Sequence, residues 1–365
     1  MKIHDIRVIC QNEGSVFSYF GWPSVARLDD GTLAMACSGY RMWHVCPFGK
    51  AVISYSRDGG MTWTRPTPVI DTYLDDRDSG IVLIGNGRAI FTSFNNTVAQ
   101  QRVWAQKLGE DTPEQRASKA FTLAYLDLLD TVPDAEKQLG STYAISDDGG
   151  YTFGEVRFTD ISTPHGPMTT RSGEVLYIGS NYARDYAKNE LNRTQVACYR
   201  LNDKDAFEFV SGIPDIPNPE SGLYFACEPH AIELKSGKIL VHIRVQGGVF
   251  TVYQSESYDG GKTFTQPHRL LSEHGGSPAH LLEHSSGRIV SVYGYRNAPY
   301  GIRYMTSDDE GASWDTDNIL YDGGESADLG YPASVELADG RILTVYYEKE
   351  NGTSHIKQII WSLDE

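Results

Sequence analysis

Residues 29–36, DDGTLAMA, run from a tight turn into an apolar strand, and the unit recurs five more times along the chain. The repeats are GNGRAIFT (85–92), RSGEVLYI (171–178), KSGKILVH (235–242), SSGRIVSV (285–292) and ADGRILTV (338–345). Most are preceded by a second alternating apolar stretch: PSVARL (23–28), SGIVLI (79–84), HAIELK (230–235), PAHLLE (278–283) and PASVEL (332–337). Two short strands joined by an Asp-Gly, Asn-Gly or Ser-Gly turn make a β-hairpin, the glycine supplying the positive φ. Repetition on this scale decides an architecture before any single motif is read.

A second signature lies between several hairpins: SRDGGMTW (56–63), SDDGGYTF (146–153), SYDGGKTF (257–264) and the variant SDDEGASW (307–314). In each, an Asp carboxylate can accept backbone N–H bonds within the turn, Ser and Thr hydroxyls can close the loop, and the final aromatic can plug the gap between sheets. These acids are expected to be structural staples. Six small sheets arranged radially leave only short, protected edges, so the pattern predicts an all-β, six-bladed β-propeller forming one domain over residues 1–365.

Gly87 and Gly173 are 86 residues apart, against 50 to 64 between the other successive turn glycines. The excess predicts an insertion over about 95–138, placed between blades two and three. There Thr112 can cap a helix, Pro113 suits its first position, and Ala117, Phe121, Ala124 and Leu128 recur near helical period. This excursion is expected to be helical, and it is a candidate surface for homo-oligomer contact.

Composition agrees with this reading. Thirty-six glycines and many aromatics (22 Tyr, 13 Phe, 6 Trp) suit many tight turns, and 40% apolar content suffices for a large core. A formal charge of −16 argues against nucleic acid as a partner, because such binding rests on cations that displace phosphate counterions. It does not exclude an anionic small substrate held by local arginines. The opening MKIHDIRVICQNEG carries charges where a secretion signal needs an apolar run, and no stretch is long and apolar enough to suggest a membrane partner. Five cysteines without metal spacing read as reduced thiols of a cytoplasmic protein.

Boxes and hairpins together resemble the bacterial sialidase (neuraminidase) superfamily, or BNR-repeat proteins, over nearly the whole chain. Members of that family attack the sugar with a Tyr activated by a Glu, grip its carboxylate with three Arg, and use an Asp as acid/base. CEPHAIELKSGKILVHIR (227–244) resembles the segment carrying the Glu and one Arg, which puts those roles on Glu228 and Arg244. GYRNAPYGIRYMTSDDEGASW (294–314) resembles the segment of the last arginine, which falls on Arg303 with Arg296 as the competitor. LGYPASVELADGRILTVYYE (329–348) resembles the nucleophile segment and assigns that role to Tyr331.

The chemistry fits independently. A phenol with an ordinary pKa near 10 needs a partner such as Glu228 to draw off its proton. Guanidiniums fork onto a carboxylate better than ammonium groups do.

The N-terminal half departs from the family pattern. Where the first arginine belongs, the sequence reads Phe20-Gly21-Trp22-Pro23, and the region of the acid/base Asp (38–56) offers only Arg41 and His44 as polar candidates. In TYLDDRDSGIVLI (72–84), a charge cluster enters an apolar strand, costly unless it faces solvent or a polar pocket. Arg77 is therefore a candidate substitute anion clamp and Asp78 a candidate acid/base. His165, His230 and His280 each lie near the start of a hairpin, in phase with Tyr331, and are expected to ring one cavity and donate to sugar hydroxyls.

No metal or other cofactor is expected. Three functions follow from these features: a retaining exo-glycosidase that releases an acidic terminal sugar from a glycoside or oligosaccharide, a uronic-acid lyase using Tyr331 or a His as base, or a non-catalytic carbohydrate-binding propeller.

Overall fold

The computed structural model describes residues 1–181, 194–273 and 278–363. Its strands form antiparallel meanders, each opening with a hairpin whose turn glycine has positive φ: Gly31, Gly87, Gly173, Gly237, Gly287 and Gly340. The innermost strands contact one another in a closed circuit. Tyr19–Arg27 packs on Arg77–Gly85, which touches Met168–Thr169; that strand touches Phe225–Glu233, then come Ala279–Glu283 and Leu329–Glu336, which returns to Tyr19–Arg27. The fold is an all-β propeller with few helices.

Its hydrogen bonding differs from six separate sheets. Four four- or five-stranded sheets stand apart, together with a two-stranded ribbon, Pro217–Asn218 with Gly222–Leu223. The first and last meanders are fused into one eight-stranded sheet through a single parallel pair, Tyr19 with Ser354. The strand Lys2–Cys10 completes the last meander by pairing with Thr353–Ser362, so the two ends of the chain close the ring together.

Box geometry follows the sequence closely. Asp58 accepts from the Thr62 backbone N–H at 2.8 Å and from its hydroxyl at 2.6 Å, while the Ser56 hydroxyl donates to Asp58 and accepts from Gly60 N–H. Asp148, Asp259 and Asp309 repeat the arrangement. The hydroxyl and amide donors of Thr62 hold the Asp58 carboxyl at about 2. The aromatic at each box's end then packs toward a neighbouring meander: Trp63 Nε1 donates to Gln358 at 3.0 Å, and Trp314 Nε1 to Gln254 at 2.8 Å.

The insertion is helical, as its caps predict. Helix α1 (Val98–Gln106) starts at a capping box of Thr97 with Gln100, and α2 (Pro113–Leu129) at one of Thr112 with Gln115, with Pro113 in the first turn. Two expectations need correction. The insertion joins Arg88–Phe94 to Ser141–Ser146, the second and third strands of one sheet, so it lies within the second blade and not between the second and third.

The apolar stripe also faces elsewhere. Thr122, Leu126 and Leu129 are the buried positions of α2, whereas Phe121 and Leu128 are exposed. Phe121 instead stacks on Phe48 at 5.0 Å, so part of the stripe covers the rim of the propeller. No helix among the described residues is long and apolar enough to cross a membrane.

Candidate active site

Four of the innermost strands share a local distortion. Trp22, Asp78, Glu228 and Tyr331 have φ of 55°, 48°, 47° and 49°, each at a register shift against the next strand. A left-handed conformation costs a non-glycine residue about 1–2 kcal/mol, so four at equivalent places mark a function and not an accident. Each of these bulges interrupts the ladder, which resumes beyond it, and so re-aims the side chain at the bulge.

There Tyr331, Glu228 and Arg244 interlock. The Tyr331 hydroxyl donates to Glu228 Oε1 at 2.7 Å and accepts from Arg244 Nη1 at 2.9 Å, while the same Nη1 donates to Glu228 Oε2. Glu228, Arg77 and Asp78 line a cavity of about 510 Å³, and Tyr331 is packed behind that wall with 6% of its surface exposed. Burial, with the Glu228 charge adding to it, pushes the Tyr331 phenol well above its usual range, and Arg244 opposes the shift. The resting hydroxyl is therefore protonated and already directed at Glu228.

Asp78 is buried, its Oδ1 has no hydrogen-bond partner among the described residues, and burial raises its carboxyl to about 7 against the counter-pull of Arg77. Such a group holds a proton near neutrality and can both give and take one. Asp76 is raised to about 7 as well, yet its oxygens are held by Thr72 and Asn95, a structural use. Arg77 lies over Trp22, its guanidinium carbon 4.2 Å from the ring centroid, and comes no nearer than 3.8 Å to Asp75. Asp75 is held chiefly by Arg41 and Gln101, the latter from α1. Arg41 is fully buried in that network and is a structural residue.

His44 reaches the cavity. Its Nδ1 is 2.8 Å from the Tyr19 hydroxyl and 3.0 Å from Asp328. Burial works against ionisation of Asp328, but hydrogen bonds from His44, Tyr19 and Tyr347 bring it down to about 2.

Arg303 is a correction. Its Nη1 donates to the carbonyls of Tyr321 and Ile302, its Nη2 to that of Pro299, and its guanidinium stacks on Tyr295, which commits it to the fifth meander. Arg296 takes the place near the nucleophile candidate, 5.5 Å over the Tyr331 ring, oriented by the Leu329 carbonyl and the Tyr347 hydroxyl.

The three histidines are a second correction. His165, His230 and His280 do cluster, with ring centroids 4.0–5.4 Å apart, but they line a separate cavity toward the turn end of the axis. The phase of Tyr331 is shared by Glu228, since each precedes a proline at its bulge; His230 lies two residues further along the strand and so deeper.

Sequence reading missed Trp104 and Asn96, which the insertion brings to the cavity wall, and Phe225, Gln246 and Asp328. Asp328 and Phe225, three residues before Tyr331 and Glu228, and Gln246, two after Arg244, lie close enough in sequence to assigned residues to have been found; Trp104 and Asn96 do not.

Fold and site together define a sialidase-like β-propeller. The chain belongs to the BNR repeat-like domain family, whose profile matches residues 93–344. No curated protein matches the sequence. Among solved structures it resembles a protein of unknown function from Dyadobacter fermentans, with 22% identity over 100% of this chain and 99% of that one, at TM-score 0.74. It also resembles the NanB sialidase of Streptococcus pneumoniae, with 12% identity over 99% of this chain and 71% of that one, at TM-score 0.69. The intramolecular trans-sialidase of Ruminococcus gnavus is similar at 12% identity, 100% and 99% coverage, and TM-score 0.63.

Proposed function

We propose that this protein is a retaining exo-glycosidase that releases a terminal acidic sugar, sialic-acid-related or uronic-acid-containing. The observation that carries the reading is the Tyr331–Glu228–Arg244 interlock. It has the arrangement needed to make a buried phenol nucleophilic, and Tyr331 and Glu228 in ordinary structural use would not need left-handed bulges to meet.

In the first step Tyr331 Oη attacks the anomeric carbon, its proton passes to Glu228, and Asp78 protonates the departing oxygen. In the second, Asp78 takes a proton from water, the water oxygen displaces the phenolate, and Glu228 returns the proton to Tyr331. The sum is addition of one water with retention, the outcome of two displacements at one carbon. Arg77, Arg244 and Arg296 supply the positive charge for the sugar carboxylate, with Arg77 over Trp22 in place of the family's first arginine. The circuit of innermost strands supports counting the eight-stranded sheet as two blades, which makes the propeller six-bladed.

The test is product analysis of wild type and Tyr331→Phe with sialosides, other 2-keto acid glycosides and uronic-acid disaccharides. A saturated, water-added sugar that disappears in the variant is expected. An unsaturated, ultraviolet-absorbing product would place the protein among lyases, and binding without turnover of any substrate would make it a carbohydrate-binding propeller.

A further inference from the structure

The cavity at the other end of the axis has a volume of about 400 Å³ and is lined by the turn-proximal halves of the innermost strands. At its floor the rings of His230 and His280 stack at 4.0 Å, and His165 stands edge-on to both. All three are buried, and burial holds each well below the usual imidazole range, so they are neutral near pH 7.

Their tautomers can be read from backbone amides. Leu281 N–H donates to His230 Nδ1 at 2.9 Å, and Ser334 N–H donates to His280 Nδ1 at 3.3 Å. A neutral imidazole that accepts at Nδ1 carries its proton at Nε2. Both rings therefore present an Nε2–H donor and hold no lone pair there for a metal ion. Among the described residues neither Nε2 has a hydrogen-bond partner, and His165 is unpartnered at both nitrogens. Of the three, His165 has both nitrogens buried without a partner, at a cost of about 1–3 kcal/mol, whereas the His230 and His280 Nε2–H groups open onto the cavity and are available there to an acceptor oxygen.

The rim indicates which kind. Glu233 accepts from the Arg171 backbone N–H, and Glu283 pairs with the Arg171 guanidinium at 2.7 Å, so both rim carboxylates are committed. Arg27 lines the same cavity and has neither an ion-pair nor a hydrogen-bond partner among the described residues. We propose that this axial cavity is a binding site for a small oxyanion, which accepts from His230 and His280 Nε2–H and is paired by Arg27. The site is separate from the one at Tyr331 and stands whether or not that site is a glycosidase.

The experiment follows the ring Cε1–H signals of histidine in ¹³C-histidine-labelled protein during titration with inorganic phosphate at constant ionic strength. Saturable shifts of the His230 and His280 signals are expected, unchanged in Tyr331→Phe. His280→Gln keeps a side-chain N–H donor and should retain binding, whereas His280→Leu should weaken it on the order of tenfold. If His280→Leu fails to fold, the wild-type titration and Arg27→Gln, with the same expected weakening, decide the matter. Absence of any shift in the two signals, or equal affinity in the Leu or Arg27 variants, would overturn the proposal. So would a response to zinc and not to phosphate.

Discussion

Replacing Asp78 with Asn should stabilise the protein while removing its activity. In the fold the carboxyl titrates near 7, and in the unfolded chain near its ordinary 3.8. Between these values the folded state keeps a proton that the unfolded state has released, so the native protein is penalised increasingly as pH rises toward 7. From those two values, at about 1.36 kcal/mol per unit, the penalty is roughly 4 kcal/mol at pH 8 and about 2 kcal/mol at pH 5.5.

Asn cannot ionise and escapes the penalty at both. Whatever constant packing change the substitution brings, its stability relative to wild type should therefore be about 2 kcal/mol more favourable at pH 8 than at pH 5.5. Denaturant unfolding at the two pH values reads this difference directly. Activity should fall by about 10²–10⁴, the usual worth of a positioned acid/base. An Asn variant whose relative stability is the same at both pH values would refute the buried, proton-holding Asp78 on which the mechanism depends.

Other consequences follow from the same geometry. Wild-type activity should decline as pH rises through about 7, because Asp78 must be protonated to serve as acid, and a rate profile checks this. Glu228→Gln should lower kcat by about 10²–10⁴ with smaller change in KM, since the Tyr331 proton loses its acceptor. Arg296→Lys should raise KM for an acidic substrate by about tenfold, whereas Arg303→Lys should lower the melting temperature and leave KM unchanged. Trp63→Ala should cost roughly 2–4 kcal/mol of stability, read by denaturant unfolding, without changing KM, because its indole closes the join to the last meander.

The propeller was legible because its determinants are local. A Gly at a turn, an Asp that caps it and a Thr four residues on act within one loop, so their spacing alone specifies the structure. The caps of α2 were readable for the same reason, but its buried face was not, since that depends on which surface of the propeller lies beneath.

Tyr331, Glu228 and Arg244 were assigned through resemblance of short segments, and Asp78 through the cost of charge at a strand entrance; the fold brings the first three together. Arg303 was misplaced because one strand's residues point to different faces, and only the pairing with neighbours says which side chain turns to the axis. The histidines illustrate the point further. Glu228 sits at the bulge, and His230, two residues further along the same strand, lies deeper and lines a different cavity.

The most direct test of the central claim is to trap the glycosyl intermediate. An acidic-sugar substrate with a good leaving group and an electron-withdrawing fluorine beside the anomeric carbon should slow the second displacement, and mass spectrometry of the digested protein locates the adduct. The account predicts one sugar attached to Tyr331 and none in Tyr331→Phe. A sugar found on another side chain, or turnover of the same substrate by Tyr331→Phe at the wild-type rate, would contradict it.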